Sequence, residues 1–441
     1  MLTAASAVLA RGVASLVSFM TVPLLLRHLT AEEFGLWMTL TSVLGLLSFA
    51  DFGIGNGLLN HVAERSCGTD LAEVRKATTN ALMFVSAAAG SVLILYFTWG
   101  RWLPWADYFN VRTTDGNAVL DRAITATVLC FAIGLPASLV QKVQLARQEG
   151  YIAQGWSVLG SLLTLAAFFG CLYGSLGLPW MLTAVLGMPV LASGLNTLHY
   201  FRFLRKEIRP RLSDFNVAML ERLGKLGCWF FLLQLAVLLG FWIDNIVITR
   251  TLGLQSVATY NVYYKLFQLI PMVHMLWITP LWPAYTEAVT KREHEWTKKT
   301  IKRSMILATS TTTAVSLVLL LKLPEVLGLW AGAKYSADYD VAIPMAVWAV
   351  MFAAASAWGT FLNAAGLIRP QLLLAFLFAV VGLFAKIYGA ERWGVAGVAW
   401  ATVISYGGIG LPLHLLIARR NVWGELFSMA PTRTEAEGVG V

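Results

Sequence analysis

The sequence predicts an all-α polytopic membrane protein with twelve spanning helices in two six-helix halves. Three observations predict it: a large apolar excess, twelve separable apolar segments, and a pattern that returns after about 220 residues. Of 441 residues, 58% are apolar and 13% charged. A soluble domain carries about 25% charged residues, so a globule of this make-up would expose apolar side chains over much of its surface. Lipid is the solvent that the composition fits. Disordered, collagen-like and disulfide-scaffold chains are excluded. Cys67, Cys130, Cys171 and Cys228 lie far apart with no CxxC or Cys/His cluster. Neither a metal, a disulfide nor a cofactor is expected.

A spanning helix takes about 20 apolar residues. Segments of that kind fall at about 4–26, 34–59, 78–100, 123–145, 152–173 and 179–201, then 226–249, 256–284, 304–321, 341–366, 371–390 and 394–417. The first lacks a basic leader and a small-residue cleavage site, so it reads as a retained span. Between the sets lies the polar stretch Arg202–Lys225. The expected division is a lobe at 1–201, a basic linker at 202–225, a second lobe at 226–418 and a polar tail at 419–441.

Orientation follows from the lysines and arginines of the loops. With both termini on one side, that side holds 22, the other 9, and two (Arg11 and Lys265) fall within spans. The richer side is cytoplasmic. The net charge of +9 is thus a topology signal, and no nucleic-acid partner is expected. Trp37, Trp99, Trp102, Trp105, Trp393 and Trp423 near span ends read as interface anchors. Segments 61–77 and 287–303 read as short helices on the cytoplasmic surface.

Shifted by 223, Arg27-His28-Leu29 falls on Arg250-Thr251-Leu252, Trp37 on Tyr260, Glu64 on Glu287 and Arg75-Lys76 on Lys298-Lys299. Six spans is an even number, so both halves enter the membrane from one side. This is a parallel repeat, and such bilobed transporters bind substrate between the halves near the midplane. No GxxxxGK[ST], HExxH, GxSxG or DxD motif is found, so an enzyme is not expected.

Ionisable residues in a span are costly, and they mark a function or a buried pair. Arg11 and Asp51 lie equally far from the turn near residue 31. Asp244 and Lys265 flank the turn near residue 254, each roughly 15 Å from it at 1.5 Å rise per residue. Two readings stay open. The pairs Arg11–Asp51 and Asp244–Lys265 either stitch adjacent helices, or the cations receive an anionic substrate while the carboxylates hold them or bind a coupling H⁺ or Na⁺. Asn261, Tyr264, Lys265 and Gln268 share one helix face, which should turn towards the bundle or water rather than lipid.

The blocks RHLTAEEFGLW (27–37) and ADFGIGNGLLN (50–60), with WIDNIVITRTLGLQSVATYNVYYKLFQL (242–269), resemble the Wzx-type polysaccharide flippases of the multidrug/oligosaccharidyl-lipid/polysaccharide exporter superfamily. The resemblance implies two six-helix lobes forming a V-shaped central cavity. It implies carriage of an undecaprenyl-diphosphate-linked oligosaccharide (an O-antigen, capsule or exopolysaccharide unit) across the bacterial inner membrane by ion-coupled alternating access. On that view Arg11 and Lys265 meet the pyrophosphate, and Asn261, Tyr264 and Gln268 serve the substrate beside them. A monomer is expected, with glycan polymerase and glycosyltransferases as candidate partners. The competing readings are a multidrug or metabolite exporter, a glycan-assembly scaffold, and a membrane-bound glycan enzyme. The paired Arg and Lys argue against the exporter, which would favour an acidic, aromatic cavity.

Overall fold

The computed structural model describes residues 2–47, 51–66, 71–109, 114–241, 243–278, 281–332 and 335–417. The Arg11 side chain, Cys67, Trp423 and the tail 419–441 lie outside what is described. The helices are α1 (Leu2–His28), α2 (Ala31–Leu47), α3 (Ile54–Ser66), α4 (Leu71–Thr98), α5 (Trp105–Phe109), α6 (Thr114–Ala146), α7 (Gly150–Tyr173), α8 (Leu178–His199) and α9 (Val217–Phe241). They continue as α10 (Asp244–Leu252), α11 (Leu254–Ile278), α12 (Leu281–Thr290), α13 (His294–Leu321), α14 (Leu323–Trp330), α15 (Tyr339–Ala364), α16 (Ile368–Ser405) and α17 (Leu411–Ile417). No strand occurs among the described residues.

Seven stretches are long and apolar enough to cross a membrane: Leu71–Trp102, Ala118–Ala146, Gly150–Tyr173, Leu178–Leu204, His294–Leu321, Tyr339–Ala364 and Gln371–His414. The chain is a multi-pass helical membrane protein. The 44-residue stretch Gln371–His414 contains a reversal, because Trp393 and Gly394 leave helical geometry and Gly394 takes φ +59°. Its two arms touch at glycine: a Cβ on Gly397 would lie 1.9 Å from the Gly389 carbonyl oxygen. The expected spans 371–390 and 394–417 correspond to these arms. Outward faces are apolar, with Ile94, Leu321 and Phe384 all exposed, as lipid contact requires.

Local sequence explains several boundaries. Thr30 and Glu33 form a reciprocal cap on α2: Glu33 N–H donates to Thr30 Oγ1 (3.2 Å) and Thr30 N–H to Glu33 Oε2 (2.9 Å). The Asp338 carboxylate accepts from Asp340 N–H at the start of α15. Helices α4 and α13 begin and end 223 residues apart, and so do the starts of α2 and α11.

Four expectations need correction. The segment 34–59 is not one helix but α2 and α3, and 226–249 is divided into α9 and α10. The segment 256–284 runs through Pro271 in α11 and restarts as α12. The expected surface helices 61–77 and 287–303 are instead the facing ends of α3 with α4 and of α12 with α13. Trp37 is no interface anchor: it is buried, whereas Trp99, Trp102 and Trp393 are exposed.

The chain divides into two compact units. One comprises Met1–Val262 and Pro324–Ala337. In it α6, α7 and α8 pack together, α1 lies on α7, α4 on α6, α3 on α4, α6 and α9, and α2 on α10. Its core runs through Leu58, Val62, Val85, Val143, Tyr200 and Leu223. The other comprises Tyr263–Leu323 and Asp338–Val441. There α15 packs on α12, α13 and α16, with Tyr285, Phe361 and Leu362 in one cluster and Ala308, Ala353 and Ala357 in another. The alanines permit close helix approach in a membrane, where packing replaces the hydrophobic effect as the driving force.

Candidate functional site

The break between α2 and α3 is built by the block that carries the resemblance. Asp51 Oδ1 accepts from Gly53 N–H (3.0 Å) and Oδ2 from Gly55 N–H (3.1 Å), so this carboxylate caps the start of α3. Phe52 and Gly53 both take positive φ, +50° and +79°. Gly53 is required twice over, because a Cβ there would also lie 2.3 Å from the Gly227 carbonyl oxygen on α9. Gly57 repeats the contact one turn on, 2.1 Å from the Leu223 carbonyl oxygen. Asn56 Oδ1 accepts from Lys142 Nζ (2.8 Å) on α6. Lys142 is a half-buried cation within an apolar span, beside the Asp51 carboxylate. The sequence reading placed it in a loop.

A second polar seam joins α2, α10 and α11 in the same unit. Asn261 Nδ2 donates to Asn245 Oδ1 (2.7 Å), and Asn245 Nδ2 donates to Ser42 Oγ (2.8 Å). Thr39 and Thr249 share a hydroxyl contact at 2.8 Å. Tyr260 O–H donates to Asp244 Oδ2 (2.5 Å), and both residues are buried. Asn261 thus lies in an interhelical amide pair. Asn245, Ser42, Thr39 and Thr249 escaped the sequence reading, since their partners lie some 200 residues away. Replacing Asn261 by Ala is expected to leave Asn245 short of a partner and to lower stability by about 1–3 kcal/mol. Thermal unfolding of the purified protein checks this.

Tyr264, Lys265 and Gln268 belong to the second unit, on one face of α11 and all half-buried. Within that unit no carboxylate pairs with Lys265 among the described residues. Further along α11, His274 is buried, with Nδ1 on the Ile270 carbonyl (2.9 Å) and Nε2 on Thr311 Oγ1 (2.5 Å). Lys386, expected in a loop, lies inside α16 with no solvent exposure. Arg11 lies in α1, and its side chain is outside the described residues. No group of three or more metal-binding side chains occurs among the described residues.

The helix ends below these seams are tied by charge. Buried Glu149 accepts from Tyr200 O–H and from Arg205, whose Nε lies 2.9 Å away, and Arg147 Nε lies at 3.8 Å. The Glu149 hydrogen bond raises the Arg205 pKa above its ordinary value. Gln144 and Asn196 exchange amide hydrogen bonds at 2.8 and 3.0 Å between α6 and α8.

A multi-pass helical bundle with cations and amides held inside its spans defines a membrane transport scaffold rather than a structural anchor. Its fold is that of the exporter superfamily named above. A multidrug resistance MATE family transporter of the MOP superfamily, inward-facing, matches with TM-score 0.74 and 17% identity over 93% of this chain and 94% of that one. The lipid II flippase MurJ, inward closed, matches with TM-score 0.71 and 11% identity over 95% and 87%. Residues 3–289 match the family described as polysaccharide biosynthesis protein, and the chain belongs to that family. A Salmonella typhimurium (strain LT2) protein named as an O-antigen transporter is 22% identical over 95% of this chain and 96% of its own length. A Yersinia pseudotuberculosis protein named for O-antigen export is 22% identical over 92% of each.

Proposed function

We propose that this chain moves an undecaprenyl-diphosphate-linked oligosaccharide, the repeat unit of an O-antigen, capsule or exopolysaccharide, from the cytoplasmic to the periplasmic leaflet of the bacterial inner membrane. The observation that carries the reading is a set of lysines inside the spans of a polysaccharide-family membrane protein: Lys142 in one unit, Lys265 and Lys386 in the other. A lipid diphosphate leaves its tail in the bilayer while its head crosses. The head needs positive charge at depth, and the sugars need hydrogen-bonding groups. Cations in a membrane interior cost several kcal/mol, which a drug exporter for cationic compounds would have no reason to retain.

The working cycle is alternating access of two parallel six-helix lobes, 1–201 and 226–418, coupled to an H⁺ or Na⁺ gradient through Asp51 or Asp244. The helix bounds that recur at 223 residues support the repeat. Arg11 and Lys265 are the proposed diphosphate partners, with Tyr264, Gln268 and Asn261 beside them. Asp244 and Lys265 lie at one depth and form a pair or face one cavity. The protein acts as a monomer, with glycan polymerase and glycosyltransferases as neighbours in assembly.

Both termini and the linker 202–225 are placed in the cytoplasm by the lysine and arginine count. Reporter fusions at Arg209 and at Asn110 are expected to report opposite sides of the membrane. Two fusions on one side would remove the twelve-span topology.

The runner-up is a multidrug exporter, which the MATE-like fold permits. Loss of surface glycan in a deletion strain, with unchanged resistance to cationic dyes, separates the two. The opposite pattern would transfer the assignment to the exporter.

A further inference from the structure

Where α8 ends, the chain forms a π-helical turn at Tyr200–Leu204 and then winds back as a strap to Asn216. Tyr200, Phe201 and Ile208 are buried and anchor the strap in the core of its unit. Its far end is pinned to α4. Arg211 N–H donates to Thr79 Oγ1 (3.2 Å), Asn80 Nδ2 to the Asp214 carbonyl (3.0 Å) and Asn216 N–H to Asn80 Oδ1 (2.8 Å). The strap encloses a pocket of about 650 Å³ lined by Phe201, Arg202, Phe203, Lys206, Arg209 and Arg211.

The charges here are sorted. Each nearby carboxylate is committed elsewhere: Asp214 to Arg75 (2.6 Å), Glu149 to Arg205, and Glu207 to Arg205 (3.8 Å). Arg202, Lys206, Arg209 and Arg211 keep no acidic partner among the described residues, and all four are exposed. Around them Phe203, Leu204, Leu212, Phe215 and Val217 are exposed as well, Leu212 by 81%. A water-facing loop has no use for that apolar fringe. A strap lying in the headgroup layer does, since its apolar side chains then enter the acyl boundary while its cations meet phosphates.

We propose that this pocket binds the phosphate headgroup of an anionic phospholipid. The pinned backbone presents four cations to one point, which a mobile basic tail could not do. The site is separate from the span lysines, and the inference holds whichever side of the membrane the strap occupies.

The test uses the full-length protein in phosphatidylcholine nanodiscs doped with phosphatidylglycerol, with bound lipid counted by native mass spectrometry. One tightly held phosphatidylglycerol per chain is expected. Its affinity should fall at least tenfold in the Arg202→Gln, Lys206→Gln, Arg209→Gln, Arg211→Gln variant. It should stay within twofold in a variant with the same charge change elsewhere, Arg292→Gln, Lys299→Gln, Lys302→Gln, Arg303→Gln. Equal losses in the two variants, or no loss in the first, would overturn the pocket. Displacement by equimolar undecaprenyl diphosphate would give the site to the transported lipid and overturn the phospholipid assignment. A photoreactive phosphatidylglycerol on the unaltered protein supplies an arm that needs no variant. Labelling within 201–211 is expected, and labelling spread over other basic loops would count against it.

Discussion

Replacing Gly227 by valine is expected to remove most of the folded protein from the membrane. The backbones of α3 and α9 meet at Gly53 and Gly227, and a Cβ on Gly227 would lie 2.1 Å from the Gly53 carbonyl oxygen. The atom in the way is main chain, so no rotamer change relieves it. Moving α9 outward would also open the Gly57–Leu223 contact and the core around Ile54, Leu58 and Leu223. Overpacking of a well-filled core costs about 1–3 kcal/mol, and a backbone collision belongs at or above the top of that range. Gly90→Ala is the matched control, because nothing lies within 4 Å of a Cβ there and alanine favours the helix. Membrane protein levels by immunoblot check both. Normal levels for Gly227→Val would refute the close packing of α3 on α9.

Lys265→Ala is expected to lower glycan export at least tenfold at equal membrane protein level, and Lys265→Arg to retain a part of it. Lys265 lies on α11 about eleven residues from the turn at Gly253, roughly 15 Å along the helix. A lysine held there without a carboxylate partner in its own unit is costly unless it serves an anion. Alanine removes both charge and donor. Arginine keeps the charge and adds a fork that suits phosphate, but in a different geometry. Equal export by all three forms would count against the diphosphate role.

The helical class and the membrane were legible because composition and run length follow directly from what lipid demands. The repeat was legible because α13 restates α4 at a fixed offset. The breaks at Asp51–Gly53 and before Asp244 were not. Apolar residues continue through both, as in Phe52, Ile54, Trp242 and Ile243, so hydropathy sees one segment. What breaks the first is local chemistry: an Asp that caps, and a Gly at positive φ pressed against another chain segment. Lys142 and Lys386 were misplaced for the converse reason, since counting charges assigns cations near span ends to loops. Trp37 lies close to a turn, which made it look like an anchor, yet it is packed away from lipid. The amide seam through Asn245 and Asn261 needs the folded arrangement, because no local pattern marks which of many Asn and Ser residues will meet.

The most direct measurement of the central claim is translocation in proteoliposomes. The purified chain is reconstituted with a fluorescent undecaprenyl-diphosphate-linked oligosaccharide, and a membrane-impermeant glycan-modifying enzyme reports which leaflet holds the head. The account predicts protein-dependent movement of the lipid-linked sugar that is accelerated by an imposed H⁺ or Na⁺ gradient and strongly reduced by Lys265→Ala. Movement no faster than in protein-free vesicles, with gradient-driven efflux of a cationic dye in its place, would contradict it.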